Sequence, residues 1–260
     1  MTLTMDTVYI GIDPTAGTRP IDYAILDGEL RLVARGLGKL DQVLEIVRLY
    51  PAAVIAVDAP QSPNAGLMAD PARRERYGLP AHTKTWAVFK VCEYELRRRN
   101  IRLYHTPGEV EAAPKWMQLG FRLYESLKAE GCQLYQPHAD APRQVLEVHP
   151  HASYTVLLGH IPFLKDSLEG RMQRQLLLFD QGLDLPDPMG SVEEITRHHL
   201  LEGTLSLPDL LTHDELDALV SAYTAYLAAR HPERITLVGD PVEGQIVVPV
   251  APADFKEVYR

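Results

Sequence analysis

TVYIGID, at residues 7–13, is an apolar segment rich in β-branched side chains and predicts the first strand of a sheet. Strands at Asp22–Leu26 and Leu30–Gly36 are predicted next, with a strong hairpin signal, Asp-Gly, between them. AVIAVD, at residues 53–58, is a continuous apolar run, as expected of a parallel strand that is buried on both faces. An antiparallel three-strand meander therefore leads into parallel strands.

Beyond this meander, helical and strand patterns alternate along the chain. Predicted helices cover Leu40–Leu49, Thr85–Arg99, Lys115–Glu130, Ala152–Leu158, Leu168–Gln181, Val192–Leu201 and His213–Arg230. Further strands are predicted at Ile101–Tyr104, Gln144–Val148, Thr236–Val238 and Gln245–Val250. We expect a single α/β domain over residues 1–260, in which a mixed sheet carries helices on both faces. A mobile loop at about 61–84 and helical insertions at about 152–202 complete this expectation.

Composition and charge exclude several classes of protein. With 26 Lys and Arg against 35 Asp and Glu, the formal net charge is −9. This charge argues against a protein that coats nucleic acid without sequence specificity, because such binding requires a positive surface. The longest apolar run, Ala52–Val57, is far shorter than the roughly 20 residues of a membrane helix. Two cysteines are too few for a disulfide framework or a zinc site, and MTLTMDT has no signal-peptide pattern. We therefore expect a cytoplasmic protein without a membrane segment.

Four carboxylates are the candidate catalytic residues. Asp13, Asp58 and Glu147 lie at or near the carboxyl ends of predicted strands, and such ends converge on one crevice in α/β sheets. Asp217 lies in a helix that is apolar almost all round, where an ionised carboxylate is costly unless a cation or a donor faces it. The alternative for Asp13 and Asp58 is a turn aspartate that bonds its own backbone.

The same helix carries His213 and Asp214 on the face of Asp217. Asp214 also has a structural explanation, because Thr212 and Glu215 form a capping box and an acid in the first turn complements the helix dipole. Clustered carboxylates without cysteine suit a hard cation, Mg²⁺ or Mn²⁺. Two such ions about 3.5–4 Å apart would activate a water and stabilise the leaving oxygen of a phosphodiester.

Accessory roles are predicted for histidines and cations elsewhere. His149 and His151 can orient water or phosphate, or pack as loop residues. Lys165 and Arg171 can contact phosphate, or lie on a solvated helix face. Basic clusters that could grip phosphate, or serve as loop and helix-end charges, comprise Arg73, Arg74, Arg76, Arg97, Arg98 and Arg99. Trp86 and Trp116 can stack on a splayed base or belong to the core.

The segments GIDPTAG, AVDAP, EVHPHAS, HDELDALVSAYTA and GDPVEGQIVVP together resemble the domain-of-unknown-function 429 family over most of the chain. That resemblance implies a ribonuclease H-like fold and nuclease activity. The first Asp-Pro and the His-Asp-x-x-Asp-Ala of the last helix also resemble Holliday-junction resolvases. By this resemblance Asp13 would bridge two metal ions, Asp58 would be a ligand, and Asp217, with Asp214 or His213, would complete the site.

The sequence thus predicts a Mg²⁺- or Mn²⁺-dependent nuclease that hydrolyses nucleic-acid phosphodiesters, with water as the nucleophile. One alternative is a module that binds nucleic acid or protein on the same fold without catalysis, which the acidic net charge favours. Another is a nucleotide-dependent kinase or ATPase, in which Asp13, Thr15, Gly17 and Thr18 would hold a metal–nucleotide phosphate. That reading requires a second glycine-rich phosphate loop and a duplicated domain, and neither is evident.

Overall fold

The computed structural model describes residues 7–15, 19–80 and 84–260. Strand β1 (Val8–Asp13) is buried along its whole length. It pairs antiparallel with β2 (Ile21–Leu26) and parallel with β4 (Ala53–Val57). β2 continues antiparallel to β3 (Leu32–Gly38), which confirms the predicted meander.

The sheet continues on the other side of β4. Its order is β3-β2-β1-β4-β6-β8-β7, where β6 is Arg143–Glu147, β7 is Thr236–Asp240 and β8 is Gly244–Val248. The two-residue strand β5 (Gln133–Leu134) also pairs with β6 and was not predicted. β1, β4, β6 and β8 form parallel pairs, whereas the β7–β8 hairpin is antiparallel. The expectation of a mixed α/β sheet is confirmed.

Helices cover both faces of this sheet because side chains alternate along its strands. α8 (His213–Arg230) packs with Tyr9 and the residues that share its face. α1 (Leu40–Arg48) and α4 (Lys115–Ala129) pack on the opposite face with Ile10 and its neighbours. Both faces at the centre of the sheet are therefore covered by helices, so a ligand can reach the sheet only where its strands end.

Gly11 sets the distance between β1 and α8. A Cβ atom at this position would lie 1.9 Å from the carbonyl oxygen of Ala218 and 2.5 Å from the amide nitrogen of Ala222. Only glycine permits so close an approach of helix backbone to strand. This contact places Asp217, one residue before Ala218, near Asp13, two residues after Gly11.

The predicted loop at 61–84 contains regular structure. A 3₁₀ turn at Leu67–Ala69 leads into helix α2 (Pro71–Arg76), whose first turn is capped by the Asp70 side chain on the amide of Arg73. The polar composition suggested a loop, but Asp-Pro is also a helix start, since Pro fits the first helical position. Residues 81–83 lie outside the described ranges.

Two predictions between residues 85 and 104 were wrong in extent or type. The helix expected at Thr85–Arg99 begins only at Val91, as α3 (Val91–Arg98), because Glu93 caps the amide of Lys90. The strand expected at Ile101–Tyr104 is irregular chain, since the Leu103 carbonyl accepts hydrogen bonds from the Arg97 side chain rather than from a neighbouring strand.

The remaining helices agree with the prediction except at one place. α5 (Pro150–Leu158) and α6 (Leu168–Asp180) occupy the expected segments. The helix expected at Val192–Leu201 is replaced by a 3₁₀ turn, Pro188–Glu194, and the short α7 (Arg197–Glu202). Thr196 separates the two, because its hydroxyl caps α7 by accepting from the amide of His199. No helix in the described part of the chain has the length and apolarity to cross a membrane.

Candidate functional site

A cleft of about 580 Å³ opens where β1, β4 and β6 end. The strand register brings Ile12 beside Val57 and Val57 beside Glu147, so the residues that end these strands lie at one edge of the sheet. Ionisable side chains dominate its rim and floor: Asp13, Arg19, Asp58, Glu93, Glu147, His149, Lys165, Asp166, His213 and Asp214. This is the crevice in which ligands of parallel α/β sheets bind.

Asp13 lies at the end of β1 and is only 6% exposed. One carboxylate oxygen accepts a hydrogen bond of 2.8 Å from the Thr15 amide, which is the turn geometry that the sequence left open. Burial, followed by the charges of Asp58 and Asp217, raises the pKa of Asp13 well above its ordinary value. The Asp13 carboxylate is therefore held in a place where negative charge is poorly neutralised.

Asp217 is buried on α8, and the side chain that faces it is Lys165. The Lys165 ammonium lies 3.1 Å from Oδ2 of Asp217 and is about half exposed. Burial raises the pKa of Asp217 and Asp58 adds to the rise, so that Lys165 offsets them only in part. The structure thus supplies a cation for this carboxylate, but one that comes from an irregular segment between α5 and α6.

Asp58 follows β4 directly and lies beside His149. Nδ1 of His149 is 3.7 Å from Oδ1 of Asp58, and Nε2 is 3.0 Å from the carbonyl oxygen of Arg102. Burial lowers the pKa of His149, but Asp58 and the Arg102 carbonyl raise it more, so the net shift is upward. His151 stands behind His149, and burial together with the His149 charge lowers its pKa to about 4. His151 is therefore neutral at physiological pH.

Glu147 ends β6 and is buried at the floor of the cleft. Its Oε2 accepts a hydrogen bond of 3.0 Å from the amide of Gln61. Burial raises its pKa, and the buried ammonium of Lys90 opposes this rise. As the alternation of β6 predicts, Leu146 and Val148 point into the core on the α8 side, away from the Glu147 position.

Asp214 and His213 lie at the rim rather than on the floor. Nδ1 of His213 approaches Oδ1 of Asp214 to 2.8 Å without hydrogen-bond geometry, and Nε2 lies 3.2 Å from Asp166. Arg19 adds a contact of 3.4 Å to Asp214. The capping box of Thr212 and Glu215 is present, which confirms the predicted structural explanation of this helix start.

Asp22 belongs to the same cluster and was not among the predicted site residues. It pairs directly with Asp13 across β1 and β2 and is 6% exposed. Burial, followed by the charges of Asp214 and Glu215, raises its pKa to about 7. No described residue donates a hydrogen bond to its carboxylate. The signal that could have found it is the register of the first hairpin, which places the two aspartates opposite each other.

Several cations predicted as phosphate contacts make structural bonds instead. Arg171 donates to the carbonyls of Leu210 and Leu211 and is not among the residues that line the cleft. Arg74 is buried and bonds three carbonyls, and Arg73 pairs with Asp240. The remaining basic side chains with partners in the fold are Arg97, Arg98 and Arg99. None of these arginines is among the residues that line the cleft, and their contact with phosphate stays a prediction.

Of the two tryptophans, one packs in an apolar cluster and the other lines the cleft. Trp86 packs with Phe89 and Tyr94 in a small apolar cluster. Trp116 lines the cleft and meets the ring of Tyr104 at 6.1 Å between centroids.

The donor chemistry of Asp13, Asp58 and Asp217 fits a hard divalent cation. Burial, and then neighbouring carboxylates, raise the pKa values of Asp13 and Asp217, so ionisation of both costs free energy in the absence of a further cation. Within the described ranges, however, no three His, Cys, Asp or Glu side chains are grouped closely enough to hold a metal ion. An ion would have to draw these carboxylates together and displace Lys165 from Asp217.

Residues 11–243 match a protein family whose description is Protein of unknown function (DUF429). No curated protein matches the chain.

Proposed function

We propose that this chain, which belongs to the DUF429 family, is a nuclease that depends on Mg²⁺ or Mn²⁺. The description of the family gives no activity, so the proposal is argued from the site of this chain alone. We propose further that its sheet is ribonuclease H-like. The observation that carries the proposal is the cluster of two buried aspartates, Asp13 and Asp217, with the partly exposed Asp58 beside an open cleft. Burial, and then the charges of Asp58 and Asp217, raise the pKa of Asp13 there. Clustered oxygen donors of this kind are typical of sites for hard cations.

Asp13, Asp58 and Asp217 are the residues that would hold the ions, with Asp214 at the rim. When bound, two such ions supply an activated water and stabilise the charge on the leaving oxygen. His149 lies against Asp58 and is fixed at its other nitrogen by the Arg102 carbonyl, so it orients that carboxylate. Lys165, once released from Asp217, is long enough and exposed enough to contact a phosphate oxygen.

Glu147 has a different part in this proposal. Its carboxylate is fixed by the Gln61 amide and faces the same cleft. With its pKa raised by burial, it can hold a proton or a water molecule beside the ions. Glu147 therefore supports the water that attacks the phosphodiester.

The decisive experiment is an anomalous difference map from crystals soaked in Mn²⁺, with wild type compared with Asp13→Asn. We expect one or two peaks among Asp13, Asp58 and Asp217 that are lost in the variant. A parallel assay offers single-stranded, duplex and branched DNA and RNA with Mn²⁺. Asp180→Asn, at an exposed position on α6, is the matched control. A carboxylate cluster that stays empty at saturating Mn²⁺ would refute the metal-dependent mechanism.

The second candidate function is a binding module without catalysis. It is favoured by one observation, the Lys165–Asp217 ion pair, because a protein ammonium already stands at the carboxylate that a metal needs. This candidate predicts that Asp13→Asn retains nucleic-acid binding while no metal supports cleavage. The kinase or ATPase alternative depends on Gly17 and Thr18, which lie outside the described residues.

A further inference from the structure

Tyr104 stands at the mouth of the cleft with its ring in solvent. Its side chain is 76% exposed, although it lines the same cavity as Asp13 and Asp58. Its nearest aromatic partner is Trp116, which meets it edge-on with an angle of 61° between the ring planes. We call Tyr104 and Trp116 the aromatic platform.

The backbone that carries Tyr104 is fixed on both sides. On one side, Nε and Nη2 of Arg97 donate to the Leu103 carbonyl at 3.1 and 2.6 Å. On the other, Oε1 of Glu93 accepts the amide of Thr106 at 2.8 Å. Both anchors come from α3, so the backbone that presents the exposed ring is held in place. A preorganised aromatic surface loses little entropy when a flat ligand stacks on it.

Charge around the platform differs from that of the floor. Arg102 and Lys115, each within two residues of a platform ring in sequence, are exposed and pair with no carboxylate in the described ranges. The floor is acidic, with Asp13, Asp58 and Glu147. Exposed aromatic rings, with cations nearby in the chain, are features of sites that bind unpaired bases and their phosphates.

From these contacts we propose that the aromatic platform is a stacking subsite for an unpaired nucleobase, so that the chain selects single-stranded nucleic acid over continuous duplex. A base inside a duplex has both faces covered by its neighbours and offers none to Tyr104. This inference rests on the proposed function, because it names the substrate class of the same cleft.

Fluorescence tests the subsite directly. The chain has two tryptophans, so Trp86→Phe leaves Trp116 as the reporter. This variant is titrated in EDTA, and again in Ca²⁺, with a single-stranded oligonucleotide and with a blunt duplex of equal length. We expect the single strand to quench Trp116 and to bind at least tenfold more tightly than the duplex.

Substitution of the second ring completes the test. Tyr104→Ala should weaken single-strand binding by about 5- to 150-fold, the range for loss of one base stack, and leave duplex binding unchanged. Tyr104→Phe should bind the single strand as tightly as wild type, because the ring is retained. Phe179→Ala, at a partly exposed ring on α6, is the matched control. Equal binding of single strand and duplex, an unchanged affinity in Tyr104→Ala, or no binding of the single strand would each overturn the proposal.

A cleavage assay with Mn²⁺ distinguishes failure of the stacking subsite from failure of the proposed nuclease activity. Mn²⁺-dependent cleavage that is indifferent to Tyr104→Ala would refute the stacking subsite alone. Tyr104-dependent binding of single strands by a protein that no metal activates would refute the nuclease alone.

Discussion

Two buried glutamates, Glu93 and Glu243, differ in their surroundings from three buried aspartates, Asp13, Asp22 and Asp217. Glu243 is 1% exposed, and its two oxygens accept from the amides of Ala65 at 3.0 Å, Val91 at 2.9 Å and Leu67 at 3.4 Å. Glu93 is bonded in the same manner, to the amides of Lys90 and Thr106 and to the Thr106 hydroxyl. These glutamates cross-link α3 to the irregular segments around it.

The aspartates have far fewer donors at a similar burial. Asp13 accepts one amide, Asp217 faces one half-exposed ammonium, and Asp22 receives no hydrogen bond from a described residue. A buried carboxylate with few partners is costly when it is ionised, and the function proposed above supplies an external cation for this cluster. Glu147 lies between the two groups, with one amide donor and a place in the cleft. The number of backbone donors thus separates Glu93 and Glu243 from Asp13, Asp22 and Asp217.

The largest effect is expected from removal of one of the two glutamates. Glu243→Ala should lower the free energy of unfolding by about 3–5 kcal/mol, because buried amides lose their acceptor. Urea unfolding measures this loss, with Glu202→Ala, an exposed position on α7, as the control. A loss below about 1 kcal/mol would mean that water satisfies these amides in the variant, and that Glu243 does not stabilise the contact between α3 and the segments around it.

Next in size is the loss of a ligand from the aspartate group. Asp13→Asn should weaken Mn²⁺ binding by at least about 100-fold, since even residues behind the ligands contribute 10–100-fold. Isothermal titration gives the affinity, and thermal unfolding without metal should show a fold at least as stable as wild type. Unfolding of the variant would instead assign Asp13 to the structural carboxylates.

Asp22→Asn sharpens the comparison through pH. The pKa of Asp22 is about 7 in the fold against an ordinary value of 3.8, so the folded state binds the proton more tightly than the unfolded chain. Its ionisation therefore costs stability as pH rises from about 4 through 7. We expect the variant to be about 1–2 kcal/mol more stable than wild type at pH 8, after allowance for solvent screening, and equal to it below pH 4. Equal stabilities at pH 8 would contradict this expectation.

The smallest expected effect concerns the cation that already faces the aspartates. Lys165→Met should tighten Mn²⁺ binding about tenfold, because the ammonium no longer competes for Asp217 and no longer repels the ion. Isothermal titration at pH 8 measures the affinity, with Lys128→Met on α4 as the control. Weaker binding in Lys165→Met would show that Lys165 assists the metal rather than competing with it.

Sequence periodicity predicted the elements that carry the site. β1, β4 and α8 follow from apolar runs and from one helix that is apolar on all sides, and these same patterns single out Asp13, Asp58 and Asp217. Local pattern is sufficient here because burial on both faces leaves few alternatives for such segments.

Contacts made by irregular chain could not be predicted. Lys165 reaches Asp217 from a segment without periodicity, and Glu243 lies in a hairpin turn, where a glutamate is ordinarily solvated. Arg74 looked like a loop charge and is buried against carbonyl oxygens. In each case tertiary structure supplies the partner, and no short-range signal in the sequence specifies it.

The contact at Gly11 also orders events during synthesis. β1 leaves the ribosome about 200 residues before α8, and domains generally fold as units during synthesis. Until residues 213–230 follow, the side of the sheet around Gly11 has no cover and Asp13 has no counterpart on α8. The cleft therefore comes into being only after α8 has been synthesised, and a chain that stops before residue 213 lacks the helix that carries Asp217.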